Sequence, residues 1–303
     1  MFLSGLRRTA YRFGLVRVVR LPVPVIVVGN ITIGGSGKTP LVVWLAQQLR
    51  AAGYSPAVIS RGYQGSAKSI TQVSPNSDPA LVGDEPVLLS RRGPWPVWVG
   101  RDRVAVGEKL LAEHPECDVI ISDDGLQHYR LQRDVEIAVI DAEYQFGNGL
   151  RLPAGPLRES VKRLQTVDAV VSNGVTKNPK QYAMYLRGDI FRCVANSAET
   201  ANANDFKAKQ ISALAGIGNP ERFFKQLDRM GLVFSRTTFP DHHAFKPQDL
   251  QSIKAEVILM TEKDAVKCAA FAKANWWYLP VSAEVDERLS ALVMNKLRSL
   301  NGP

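Results

Sequence analysis

The run VIVVGNITIGGSGKTPLVVWLAQQL, residues 25–49, constrains the fold of this chain more than any other stretch. Pro24 to Val28 is apolar and β-branched, which suits a buried strand. A glycine-rich loop follows. From Pro40 to Ala52 the apolar residues recur at helical spacing and stop at Gly53. Further strand-like runs lie at Ala57–Ser60, Val97–Val99, Val119–Ser122 and Glu136–Ile140, with helical stretches at Glu85–Arg91 and Arg103–Glu113. Strand and helix in alternation predict an α/β fold of the P-loop NTPase kind, a mostly parallel sheet with helices on both faces.

Past Asp168–Ser172 the alternation weakens, and the polar run ANSAETANANDFKAK, residues 195–209, reads as a linker and hinge region. A second alternation follows: ISALAGIG, a helix from Pro220 to Met230, a strand near Leu232–Phe239, a helix from Pro247 to Lys254, VILM, WWYLPV and a closing helix. The expectation is a P-loop domain over residues 1–204 and a smaller α/β domain over 205–303.

The loop departs from the usual G-x-x-x-x-G-K-[ST] pattern, because Thr32 stands where the first glycine belongs. What phosphate binding requires is narrower: consecutive backbone N–H groups turned inward. Gly34, Gly35, Ser36 and Gly37 permit that. Lys38 would meet the terminal phosphates of ATP, and Thr39, at a helix N-terminus that favours anions, could ligate Mg2+. The plainer alternative is a glycine turn that happens to precede Lys-Thr. Such a site also needs an acidic metal partner at the end of another strand. DVIISDDG offers Asp123 and Asp124, with an ordinary Asp-Asp-Gly turn as the alternative and the choice between the two carboxylates open.

Charge is unevenly spread. The first 77 residues hold no Asp or Glu but nine Lys and Arg, which is the whole net charge of +9. The rest balances. An anionic partner is implied, whether phosphate ligand, membrane surface or nucleic acid. Phe2, Leu3, Leu6, Ala10, Phe13 and Val16 fall on one helical face, with Arg7, Arg8 and Arg12 off it and Arg17 intruding. That pattern fits a basic amphipathic helix lying on a membrane, or one packed on its own domain. Arginines inside the apolar stretch argue against a signal peptide, and no run reaches the ~20 apolar residues of a bilayer span. Cys117, Cys193 and Cys268 are scattered, which excludes a CxxC zinc cluster or a disulfide framework.

In this order GNITIGGSGKTP, ISRGYQG, VGDEPVLL, GRDR, SDDGLQHYRLQRD, LPAGPLRE, AGIGNPERFF, FPDHHAF and MTEKDAVK resemble the tetraacyldisaccharide 4'-kinase family, over nearly the whole chain. That family also lacks the early glycine. The resemblance implies transfer of the ATP γ-phosphate to the 4'-hydroxyl of a tetraacylated glucosamine disaccharide 1-phosphate, giving lipid IVA in lipid A synthesis. The enzyme would be peripheral at the cytoplasmic face of the bacterial inner membrane, with no nucleic acid and no obligate protein partner.

A base near the sugar hydroxyl should help such a transfer. The resemblance makes Asp84 of GDEP that base and His242, first of the two histidines in FPDHHAF, its partner. From the residues alone Asp84 reads rather as a helix N-cap, which only the resemblance reverses, and His242 is preferred to His243 on motif position only. Arg158 and Glu159 are candidates for phosphate and metal. Tyr63, Arg101 and Arg103 are candidates for the acceptor or its 1-phosphate. MTEKD resembles the base-reading loop of GTPases, but Lys263 and Asp264 are adjacent there, and it carries no assignment. Two rival readings are a nucleic-acid-stimulated P-loop ATPase and a membrane-associated nucleotide-switch module.

Overall fold

The computed structural model describes residue 11 and residues 14–300. The amphipathic helix expected at the N-terminus lies mostly outside the described residues. A nine-stranded sheet carries the first half of the chain: β1 (Val25–Gly29), β2 (Pro56–Ser60), β3 (Thr71–Val73), β4 (Val97–Val99), β5 (Val119–Asp123), β6 (Val135–Asp141), β7 (Ala169–Asn173) and β8 (Tyr182–Arg187). Its ninth strand, β15 (Ser282–Val285), comes from near the C-terminus. The order is β15-β8-β7-β6-β1-β5-β2-β4-β3, parallel from β8 to β4 and antiparallel at both edges. β1 is buried at every position, as expected of a strand covered on both faces.

Helix α1 (Lys38–Ala51) lies on one face and buries Leu41, Val42, Leu45, Ala46 and Leu49 completely. Truncating one of them, Leu45→Ala for instance, would cost ~2–5 kcal/mol. The other sheet-one helices are α2 (Pro79–Val82), α3 (Asp84–Arg91) and α4 (Arg103–Glu113). A six-stranded sheet, order β10-β9-β14-β13-β11-β12, builds the second core. Its strands are β9 (Ile190–Cys193), β10 (Thr200–Asn202), β11 (Ile211–Ala215), β12 (Phe234–Thr238), β13 (Val257–Thr261) and β14 (Trp276–Leu279). Helices α5 (Pro220–Arg229), α6 (Pro247–Gln251) and α7 (Glu262–Cys268) accompany it, and α8 (Arg288–Leu300) ends the described chain.

Sheet membership does not divide at residue 205. The stretch read as a linker holds β10 and a 3-10 turn, Ala203–Phe206, whose Phe206 is buried against Phe191 and Trp277. WWYLPV, placed in the second alternation, supplies β14 to the second sheet, but the strand right after it, β15, joins the first, pairing with β8. The closing helix α8 then buries Leu289, Val293 and Leu297 in the first core. The chain therefore crosses between sheets at residues 188–189 and 280–281. Polarity misled the linker reading, because a short edge strand with one aromatic anchor is polar almost throughout.

Candidate active site

β1 lies between β5 and β6, and the glycine loop leaves its carboxyl end, where open parallel sheets place ligands. Registers set Val28 beside Asp123, so the loop and the acidic end of β5 start as neighbours. Helix α1 has no side-chain N-cap and no acid in its first turn, which leaves its first N–H groups and its dipole to an anion. Gly37, at φ 93°, turns the chain into it; a β-carbon there would stand 2.4 Å from Asn173 Nδ2. That amide donates to the Ser36 carbonyl at 3.0 Å, while Asn30 Nδ2 donates to Ser36 Oγ at 3.2 Å. The loop is thus braced from two sides.

Lys38 is buried and sits 3.6 Å from Asp124. Asp124, at φ 48°, also accepts from Arg158 Nη1 at 2.8 and 2.9 Å. Burial works to raise its pKa, but Lys38, Arg158 and Arg103 outweigh it and hold the carboxyl below the usual range. Asp123 differs. It is fully buried; Ser60 donates to Oδ2 at 3.2 Å and Oδ1 has no partner. Burial, then Glu85 and Asp124, push its pKa up to about 7.

An unpartnered buried oxygen on a carboxyl reluctant to ionise suits a site built for a cation. Among the described residues no three His, Cys, Asp or Glu form a ready metal cage. Magnesium needs none, since it takes one or two carboxylates and completes its shell with phosphate oxygens and water. Thr39, Asp123 and Asp124 fit that pattern. Glu159 is committed elsewhere: Oε1 accepts from Gln127 at 2.8 Å, Oε2 from Tyr129, and Arg163 lies 3.7 Å away.

The second sheet supplies the opposite wall. A β-carbon on Gly218 would stand 2.7 Å from the Gly35 nitrogen, so the β11–α5 turn closes tightly over the loop. One cavity is bounded by residues 35–40, Glu85, Arg92, Arg222 and Lys263. Its neighbour is lined by Tyr63, Asp84, His242 and Lys267. Asp84 is the first residue of α3, where Gly83 occupies the cap position. Its carboxylate lies 3.2 and 3.3 Å from His242 Nδ1 and 4.0 Å from Lys267 Nζ. Burial raises its pKa, but His242, Lys263 and Lys267 prevail and hold it below its ordinary value.

His242, at φ 58°, carries the Tyr63 ring edge-on at 5.3 Å. His243 turns away, 2.9 Å from Asp249 and stacked on Phe239. The structure thus brings Asp84 and His242 together and leaves His243 outside. Arg103 lies under the floor, donating to the Gly100 and Asp123 carbonyls at 3.1 and 3.2 Å, and burial draws its pKa down to about 10. Arg101 is exposed.

The description tetraacyldisaccharide-1-P 4'-kinase matches residues 1–298. A tetraacyldisaccharide 4'-kinase of Methylobacillus flagellatus is 52% identical over 98% of this chain and 89% of its own length. One from Azoarcus sp. is 51% identical over 98% and 88%. The chain belongs to the tetraacyldisaccharide 4'-kinase family. A crystal structure of LpxK from Aquifex aeolicus in complex with ATP superposes with TM-score 0.81 at 29% identity, covering 98% of this chain and 95% of the other.

The fold is therefore that of the family, and the chain is a kinase of its ATP-using, lipid A-synthesising kind. Neither the nucleic-acid-stimulated ATPase nor the switch module is favoured by these relatives. Sequence reasoning passed over Glu85, Asn173 and Lys267. Glu85 stood inside a quoted motif, but nothing marks a cavity-facing glutamate beside a candidate base. Asn173 acts from the end of β7, which no motif covers.

Proposed function

We infer that this chain transfers the γ-phosphoryl group of ATP to the 4'-hydroxyl of a tetraacylated glucosamine disaccharide 1-phosphate, with Asp84 as the base. The observation that carries the reading is the pairing, across two sheets, of Asp84 and His242 in a cavity beside the glycine-loop cavity: Glu85, next to Asp84 in the chain, and Lys263, 3.3 Å from His242 Nε2, line the latter. Donor and acceptor chambers side by side are what direct transfer needs.

Each residue then has a task. Backbone N–H groups at Gly34, Gly35, Ser36 and Gly37 cradle phosphate oxygens, and Lys38 adds charge where it develops. Thr39, Asp123 and Asp124 would hold magnesium, which would offset the negative charge of the phosphates. Arg158 orients Asp124. Asp84 is held ionised and is a weak base, and that suffices. In a loose phosphoryl transfer the hydroxyl proton leaves late, so orientation of the acceptor matters more than basicity. His242 orients the carboxylate and shares the proton.

The acceptor is a lipid, so the enzyme would work as a peripheral protein at the cytoplasmic face of the inner membrane, docked by its basic first segment. No described helix is long and apolar enough to cross a membrane. Leu15, Val16 and Val18, at the C-terminal end of that segment, are exposed, which supports docking. Each basic side chain near an anionic surface adds ~1 kcal/mol. The test is incubation of purified protein with ATP, magnesium and the disaccharide 1-phosphate in detergent. A new phosphate monoester at the 4'-position is expected. ATP consumption without that ester, or stimulated only by nucleic acid, overturns the reading.

A further inference from the structure

Lys263, the third residue of β13–α7's Thr-Glu-Lys-Asp turn, is left without a role by the reaction as described. Its position is specific. Thr261 Oγ1 accepts the Asp264 N–H at 3.2 Å and starts α7, and Asp264 ties that start to the Gly216 N–H at 3.0 Å. From this anchored first turn Lys263 Nζ reaches Glu85 Oε1 at 3.0 Å, His242 Nε2 at 3.3 Å and Asp241 Oδ1 at 4.0 Å. Glu85 adjoins Asp84 in the chain, so one ammonium touches both partners' neighbourhoods.

An ammonium has three donors and no acceptor. Burial works against the Lys263 charge, but Glu85, Asp84 and Asp241 more than offset it, and its pKa is raised. Facing such a group, Nε2 of a neutral imidazole must present its lone pair. The ring proton then belongs on Nδ1, which points at Asp84. The opposite tautomer would set an N–H against the ammonium and a lone pair against the carboxylate. Asp241 Oδ2 could favour that tautomer, but at 3.8 Å from Nε2 it lies beyond hydrogen-bond reach.

We propose that Lys263 is a positioning residue that fixes His242 as the Nδ1–H tautomer and so makes it a donor to Asp84. The inference deepens the proposed function and rests on Asp84 being the base. The tautomer of a histidine is set by the bond its other nitrogen makes. With His242 held as donor, Asp84 keeps its remaining lone pairs for the acceptor hydroxyl.

The experiment is nitrogen NMR on 15N-histidine-labelled full-length protein, with His242→Gln used to assign the signal. Wild type should show a protonated Nδ1 and a bare Nε2 at neutral pH. Lys263→Met should lose that signature and lower kcat ~10- to 100-fold with KM for ATP nearly unchanged, the loss expected when a histidine's orienting partner goes. Lys263→Arg should restore the signature and most of kcat. Glu85→Gln removes the ion pair but leaves the ammonium on Nε2, so it should keep the signature.

If Lys263→Met misfolds, the Lys263→Met, Glu85→Gln double variant, free of the stranded carboxylate, gives the same readout. An unchanged tautomer in the methionine variant, an unchanged kcat despite a changed tautomer, or loss of the signature in Glu85→Gln would each overturn the proposal. Failure of the underlying base assignment would show separately, as full turnover in Asp84→Asn.

Discussion

Asp84 and Asp123 are both buried carboxylates at the edge of one site, and their surroundings treat them oppositely. Asp84 is well supplied with stabilising partners: His242, Lys267 and the field of Lys263 hold it ionised. Asp123 has a serine on one oxygen, nothing on the other, and two acids for neighbours. The first is finished by the protein itself. The second is left incomplete, and a cation would complete it. On the proposed reading one carboxylate would handle a proton and the other a metal, because the environment and not the residue type sets the role.

The largest expected effect tests the first half of that division. Asp84→Asn keeps the shape and removes the base, so kcat should fall ~10²- to 10⁴-fold, the usual contribution of general base catalysis. Nucleotide affinity, measured by calorimetry, should hardly move. An equal loss in both would place Asp84 in nucleotide binding and dissolve the contrast. Asp123→Asn tests the second half. Its main effect should be a ~10- to 100-fold rise in the magnesium concentration needed for half-maximal rate. Unaltered magnesium dependence would leave the orphaned oxygen unexplained.

The same contrast has a smaller signature in stability. In an unfolded chain Asp123 would titrate near ~3.9, whereas in the fold it titrates at about 7. Between those values the native state keeps a proton that the unfolded state releases. By linkage, stability must fall as pH rises through that window and level off above it. Calorimetry of metal-free protein at pH 5 and pH 8 should show this fall in the wild type, and a shallower one in Asp123→Asn. Equal slopes would mean that the buried acid is not where the proton resides.

Much of this was legible in the sequence, and unevenly. The strand, loop and helix around Lys38 are local, with a periodicity that switches from strand to helix within a few residues, and they appear as read. Asp123 and Asp124 sit at a strand end for the same local reason. The pairing of Asp84 with His242 spans 158 positions and two sheets, and only the family resemblance pointed to it. The crossings at 188–189 and 280–281 were invisible, since the short edge strands on either side, such as β15 (SAEV), mix polar and apolar residues and say nothing of which sheet they pair with. Lys263 stood in a quoted motif, but its task depends on what it faces across the cleft.

The smallest effect on catalysis is expected at Glu159, which the sequence offered as a metal ligand beside Asp123 and Asp124. Its oxygens are occupied by Gln127 and Tyr129, and Gln127 also donates to the Asn30 carbonyl at 2.9 Å, at the root of the glycine loop. The arrangement braces the loop from behind. Glu159→Gln should therefore cost ~1–3 kcal/mol of stability, the penalty for disturbing a buried hydrogen-bonded charge, with little change in magnesium dependence. Denaturant titration and a magnesium titration of the rate separate the two outcomes. A rise in magnesium requirement as large as that of Asp123→Asn would mean that Glu159 leaves Tyr129 to join the metal. The division would then run between one proton-handling acid and three metal-facing ones.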